Sequence, residues 1–338
     1  IKGYGFGAAG EAQNTAHSLK KLDIDTLKAF RDRFGVPLKD EELEDVPYYR
    51  PAPDSPELVY MKKRRQELGG FYPKRNKDCQ PLQIPELDIF KQVLEGSDGR
   101  EISTTMAFVR ILSALVKDKR IGKRVVPIVP DEARTFGMEG MFRQLGIYTA
   151  EGQKYVPQDR DQIMYYREDK KGQILQEGIN EDGAMSTWMA AATSYSTNSF
   201  PLIPFYVFYS MFGFQRVGDL AWASGDMQAR GFLIGGTAGR TTLNGEGLQH
   251  QDGHSHILAN TIPNCKAYDP AYGYEMAVEI RHGMKEMFED NQNVFYYLTI
   301  ENENYEQPAM PKDSEDGIIK GMYKFESVET KGRKKSPR

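Results

Sequence analysis

"LIPFYVFYSMFGFQRVGDLAWASGDMQARGFLIGG", residues 202–236, sets the fold. "LIPFYVFYS" and "GFLIGG" read as strands, and "GFQRVGDLAWASGDMQAR" between them spaces its apolar residues as a helix does. The same alternation runs outward in both directions. Upstream, "STTMAFVRILSALVKD" is an amphipathic helix capped at Ser103, and "RVVPIV" is a short β-branched run that stops before Pro130 and Asp131. "QILQ" and then the helix-like "DGAMSTWMAAATSYS" follow. Downstream, "DPAYGYEMAVEIRHGMKEM" opens on a proline suited to a first helical turn, and "NVFYYLTI" is again a strand. Strands and helices taking turns predict an α/β architecture: a doubly wound, mostly parallel sheet with helices on both faces, over roughly residues 95–305.

Ligands of such sheets sit at the carboxyl ends of the strands, so the residues just after each strand are the candidates for chemistry. Asp131 and Glu132 follow "RVVPIV", and Glu177 and Glu181 follow "QILQ". Tyr209 ends "FYVFY", and the chain after "GFLIGG" runs through "TAGRTTLNGEG" into a histidine cluster. Carboxylates, a tyrosine and imidazoles therefore collect on one edge of the expected sheet.

The amino-terminal part reads differently. Residues 1–16, "IKGYGFGAAGEAQNTA", carry four glycines and little apolar periodicity, as in a mobile loop, with His17 at its end. A helix is expected near 25–34, capped by Asp25, and residues 36–95 are a proline- and charge-rich connection with one short helix.

The totals bound the function. The 338 residues are 39% hydrophobic and 11% aromatic, ample for a buried core. With 44 basic against 48 acidic residues the formal charge is -4, so no strong field favours nucleic acid or an anionic membrane. No apolar run reaches the roughly 18 residues of a membrane span, and no signal peptide opens the chain. Cys79 and Cys265, the only cysteines, lie far apart, which suits a reducing, cytoplasmic setting. The start at Ile1 and the basic tail "KGRKKSPR" make the sequence look cut from something longer.

"LNGEGLQHQDGHSH", residues 243–256, holds His250, His254 and His256 around Asp252. Three readings compete. The imidazoles, with Asp252 and Glu246, could form a zinc site, although the segment is bracketed by glycines and has neither H-E-x-x-H nor paired cysteines. They could simply hydrogen-bond their own loop and the helices beneath it. Or an imidazole could carry protons or anchor a carboxylate near neutral pH, in a cleft already lined with acids.

At this point the sequence resembles a known family. "DEARTFGMEGMFRQLGIY" (131–148), "GQILQEGINEDGA" (172–184), "PFYVFYSMFGFQRVGDLAW" (204–222) and "GTAGRTTLNGEGLQHQDGHSH" (236–256) are similar to the homodimeric bacterial pyruvate dehydrogenases, the thiamine-diphosphate components of their complex. "KGYGFG" near the start and "ENENYEQPAMP" near the end extend the likeness over nearly the whole chain. The resemblance implies a transketolase-like, thiamine-diphosphate-binding fold. Residues 1–95 would be the tail of an amino-terminal domain with an active-site loop, 96–310 the pyrimidine-binding domain, and 311–338 the approach to a third domain.

It also implies oxidative decarboxylation of pyruvate on thiamine diphosphate, with transfer of the acetyl unit to the lipoyl domain of a dihydrolipoyl acetyltransferase. In the family's pattern Glu181 is the acid on the pyrimidine ring nitrogen, although an acid there could equally just start a helix. Ile179 would wedge between the cofactor rings. Tyr209 and Phe212 would lie beside the aminopyrimidine, which an unaided reading of Phe212 would call packing. His250 would meet the substrate and His17 the lipoyl group. Lys2, Asp131, Glu132 and Arg216 match polar positions around the same cleft, and a charge at a strand end is often just half of a structural ion pair. One departure matters: the family holds Mg2+ and the diphosphate through a GDG motif, absent here, since "SGDMQ" at 224–228 falls in the wrong domain. The rival readings are a transketolase or another 2-oxo acid dehydrogenase, a structural or assembly module carrying half a site, and a zinc enzyme.

Overall fold

The computed structural model of the chain describes residues 2–71, 79–130, 133–158, 160, 166–239 and 247–328. They form two compact units, Ile1–Lys74 and Arg75–Arg338.

In the first unit, α1 spans Ile24–Phe34 and α2 spans Pro56–Glu67. The cap of α1 is Asp23, whose carboxylate accepts from the Thr26 amide at 2.8 Å and its hydroxyl at 3.0 Å. Asp25, expected to cap, lies inside the first turn instead. A capping carboxylate must reach an amide three residues ahead, and it is Asp23 that has one within reach. The stretch 1–16, expected to be a mobile loop ending at His17, is folded into turns over its described residues, with 3-10 turns at Gly7–Ala9 and Asn14–Ser18. The Glu11 carboxylate gathers the Gly5 and Gly7 amides and pairs with Arg33 of α1 at 2.7 Å. His17 sits exposed in the second of these turns.

In the second unit six strands form one sheet: β1 Val125–Val129, β2 Leu175–Gln176, β3 Ile203–Tyr209, β4 Phe232–Gly236, β5 Cys265–Tyr268 and β6 Phe295–Thr299. Their order is β2-β1-β3-β4-β6-β5 and every pairing is parallel, as the alternating pattern predicts. The longer helices are α3 Thr104–Lys117, α4 Glu181–Ala192, α5 Gly213–Asp226 and α7 Gly273–Phe288, with a short α6 at Ser255–Ala259.

Alternate residues of each central strand feed two separate cores, which is what doubly wound means at the level of side chains. Phe205 and Val207 of β3, Ile234 of β4 and Tyr296 and Leu298 of β6 pack with Phe108 and Leu112 of α3 and Met276 and Ile280 of α7. Tyr206 and Phe208, Leu233, and Phe295 and Tyr297 face the other way, onto Met185 and Trp188 of α4 and Val217 and Ala221 of α5. The Phe205 and Phe232 rings stack across β3 and β4 with centroids 4.7 Å apart.

Ser103 caps α3 as expected, its hydroxyl accepting from the Met106 amide at 3.1 Å. Pro270 does not open α7. The Tyr272 amide donates to the Glu275 carboxylate at 2.8 Å and closes the first turn from inside, so the helix begins at Gly273 and the proline stays in the preceding loop. Among the described residues no helix is long and apolar enough to cross a membrane.

Candidate active site

Because the sheet is parallel, all its strands present their carboxyl ends to one edge, and the side chains there are brought together by crossovers. Leaving β2, the Glu177 amide donates to the Val129 carbonyl at 3.1 Å, and the chain turns through Gly178 at φ +78°. Asn180 then caps α4 by accepting from the Gly183 amide at 3.0 Å, so Glu181 becomes the first residue of the helix. Its backbone carbonyl is held by the Tyr206 hydroxyl at 3.3 Å. Its carboxylate pairs with Arg216 of α5, and the Glu181 side chain is 14% exposed against 47% for Arg216. The acid is thus shielded and aligned with the helix dipole. Two residues earlier Ile179 stands 76% exposed, an apolar side chain held out in solvent.

From β3 the chain turns sharply, the Phe212 amide donating to the Tyr209 carbonyl at 3.0 Å, and α5 begins at Gly213. A Cβ at Gly213 would lie 1.9 Å from Cε2 of Phe208, so only glycine lets this helix start so close to its strand. The turn places Tyr209 and Phe212 side by side, with centroids 6.2 Å apart. His250, in the 3-10 turn Leu248–His250, meets both rings edgewise, at 4.9 Å from Tyr209 and 5.2 Å from Phe212. The Arg216 guanidinium lies 4.4 Å from the Phe212 ring centroid. Glu181, Arg216, Phe212, Tyr209 and His250 therefore form one continuous set of contacts.

The three imidazoles of the cluster go to three settings. His254 Nε2 lies 2.9 Å from the Gln215 amide nitrogen. His256 Nε2 lies 2.9 Å from the Thr299 hydroxyl, which donates to Asp269 at 2.5 Å, so the imidazole supplies its N–H to the threonine oxygen. For these two histidines the reading as anchors of their own loop describes the contacts. Asp252, weighed as a zinc ligand, is turned inward. It accepts from the His254 and Ser255 amides at 3.0 Å each and from the Ser255 hydroxyl at 2.5 Å, ahead of α6. Tyr297 of β6 in turn donates to Ser255 Oγ at 2.9 Å.

Burial alone would raise the Asp252 carboxyl, but the hydrogen bonds from the Ser255 hydroxyl and from the His254 and Ser255 amides outweigh it and hold the group below its usual value of 3.8. A lowered folded value contributes stability above 3.8 that is lost as pH falls through the folded value. Asp252→Asn is therefore expected to lower Tm at neutral pH and to flatten the fall of Tm with pH on the acid side. An unchanged acid limb in the variant would show that another group governs it.

Lys2 and His17 belong to the first unit, where Lys2 is exposed and its carbonyl accepts from the Ala12 amide at 2.9 Å. Asp131, Glu132 and Glu246 lie outside the described residues. Reading the sequence missed Gln215, Ser255, Asp269, Tyr297 and Thr299, which orient the histidine segment. Only Ser255 had a local signal, an aspartate three residues before it at the start of a helix.

Three comparisons bear on this site. A family model described as "Pyruvate dehydrogenase E1 component middle domain" matches residues 82–308. The chain is 66% identical over 326 residues to the pyruvate dehydrogenase E1 component of Pseudomonas aeruginosa, covering 96% of this chain and 37% of that protein. It is 58% identical over 336 residues to that of Escherichia coli K12, covering 98% of this chain and 38% of that protein. It thus spans little more than a third of the length of these relatives. Among solved structures, transketolase from Campylobacter jejuni superposes with a TM-score of 0.53 at 15% identity, covering 91% of this chain and 42% of that one. A transketolase from Pichia stipitis gives 0.52, also at 15%, covering 89% and 41%. At that identity the likeness shows a shared fold.

Proposed function

This chain belongs to the pyruvate dehydrogenase E1 component middle-domain family, and on that premise we propose that it supplies the pyrimidine-binding part of an enzyme that oxidatively decarboxylates pyruvate and acetylates the lipoyl group of a dihydrolipoyl acetyltransferase. The observation that carries the reading is the shielded Glu181 carboxylate at the start of α4, joined through Arg216 to the Phe212, Tyr209 and His250 rings. A flat heteroaromatic with a ring nitrogen fits such a set: rings to lie against, one acid to meet the nitrogen, and the exposed Ile179 to be covered.

When bound, thiamine diphosphate supplies an acidic thiazolium carbon together with its own aminopyrimidine base. Glu181 would be the acid that meets the pyrimidine ring nitrogen and holds or gives up a proton there. Phe212 and Tyr209 would hold that ring between them, and Ile179 would supply an apolar surface for the bound cofactor. His250 hydrogen-bonds the pyruvate carboxylate or the groups that replace it. His17 serves the lipoyl transfer and Arg216 supplies a polar group at the cleft, while Lys2, Asp131 and Glu132 are assigned polar roles in the working enzyme on the family likeness alone. This chain contains no GDG motif, so Mg2+ and the diphosphate are assigned to residues outside it. The working enzyme is a homodimer in the cytoplasm, with no nucleic-acid or membrane partner.

The test uses the full-length protein with pyruvate, thiamine diphosphate, Mg2+ and a lipoyl domain. Carbon dioxide release with acetylated lipoyl product is expected, and 2-oxoglutarate and ketose phosphates should leave the enzyme idle. Turnover of either of those in place of pyruvate would replace this reading with one of its rivals.

A further inference from the structure

A second cavity, of about 610 Å3, opens beyond the carboxyl end of the edge strand β5, between the start of α7 and the segment around residues 318–323. Lys266, Tyr268, Asp269, Glu275, Glu279 and Tyr323 line it. Nearly all of their polar atoms with known contacts are engaged by the protein itself. Lys266 Nζ holds both oxygens of Glu286 at 2.7 Å, and the Tyr268 hydroxyl donates to the Ile319 carbonyl at 3.0 Å. Glu275 accepts from the Tyr272 amide and from the Tyr323 hydroxyl, and Asp269 accepts from Thr299.

Glu279 is the exception. Its residue is 4% exposed, it lines the cavity, and its Oε2 has no hydrogen-bond partner among the described residues. A buried carboxyl with an idle oxygen is costly and is seldom kept without use. Burial first, and then the charges of Glu275 and Asp269, raise its pKa well above the usual 4.5. The other ionisable groups facing it are Lys266, balanced by Glu286, the exposed Lys320, the Cys265 thiol, and the Tyr268 and Tyr323 phenols, all three raised by burial. The cavity therefore offers three carboxyl groups against one unbalanced lysine.

We propose that this cavity binds a small primary ammonium ion, which takes Glu279 Oε2 as a hydrogen-bond acceptor. An ammonium has three donors and no acceptor, and the cavity lining carries the carboxyl groups of Asp269, Glu275 and Glu279. Among the described residues no three His, Cys, Asp or Glu side chains are clustered tightly enough to chelate a metal ion, so a wider cation that binds by N–H donation fits better than a bare one. Binding breaks no covalent bond: the ion keeps its three protons and the carboxylate accepts from one of its N–H groups, any proton that Glu279 carried leaving to solvent. The site is independent of the proposed decarboxylation.

Isothermal titration of the full-length protein with methylammonium tests it. Saturable binding of methylammonium is expected, with tetramethylammonium, which has no N–H donor, failing to bind. Glu279→Gln has the shape of the protonated acid, so the fold should hold by circular dichroism while methylammonium affinity drops about tenfold or more. No binding, equal binding of tetramethylammonium, or full affinity in a folded Glu279→Gln variant would each overturn the proposal.

Discussion

Glu181→Gln, made in the full-length protein, is expected to cut pyruvate decarboxylation by about 10²- to 10⁴-fold, the range typical for loss of a positioned acid or base. The substitution keeps the side chain's size and leaves the two features that build this corner. Asn180 still caps α4, and the Tyr206 hydroxyl still reaches the backbone carbonyl of residue 181. What disappears is the carboxylate that meets Arg216 and, on the proposed reading, the pyrimidine nitrogen. The competing reading, in which Glu181 only complements the helix dipole, makes a different forecast. It costs roughly 0.3–1 kcal/mol of stability and leaves the rate untouched. Measuring kcat with pyruvate beside a urea denaturation curve separates the two. A variant that decarboxylates within about twofold of the parent enzyme would remove Glu181 from the chemistry.

What the sequence disclosed and what it hid divide along physical lines. β3, β4, β6 and α3 were legible because their apolar content repeats at a period of two or 3.6 and because Ser103 caps its helix with its own side chain. β5 was not. It has four residues, carries Lys266, lies at the sheet edge and is only partly buried, so no apolar run announces it. Helix starts slipped by two or three residues where two candidates competed, Asp23 over Asp25 and Tyr272 over Pro270, and only the backbone path decides between such neighbours. At the site, the strand-end rule brought Glu181, Tyr209 and the histidine segment to one edge. Their partners were out of reach of any local pattern: Glu181 and Arg216 are 35 positions apart, and His250 reaches Tyr209 and Phe212 only through the crossover from β3 to β4. The assignment of roles came from long matched blocks, and the paired acids Asp131 and Glu132 lie outside the described residues.

Trp188→Ala is expected to destabilise the second unit by about 3–5 kcal/mol, the usual cost of emptying a buried aromatic site. Trp188 sits on α4 two turns after Glu181, fully buried on the face of the sheet that also takes Phe208, Leu233 and Tyr297. Its indole meets Phe295 edge to face at 5.9 Å, and its Nε1–H donates to the Phe232 carbonyl at 3.1 Å. One side chain thus ties the helix that begins with Glu181 to two of the central strands. Alanine would lose the apolar area, leave a cavity the small neighbours Ala184, Ala191 and Ala192 cannot fill, and remove the indole donor. Trp188→Phe keeps most of the ring, so its smaller deficit reports the hydrogen bond and the residual void, and the difference between the two variants reports the packing. A drop below about 1 kcal/mol for Trp188→Ala in urea denaturation would show that α4 is held mainly by its neighbours α5 and β3. In that case the orientation of Glu181 would have to be credited to Asn180 and Tyr206 instead of to the core beneath them.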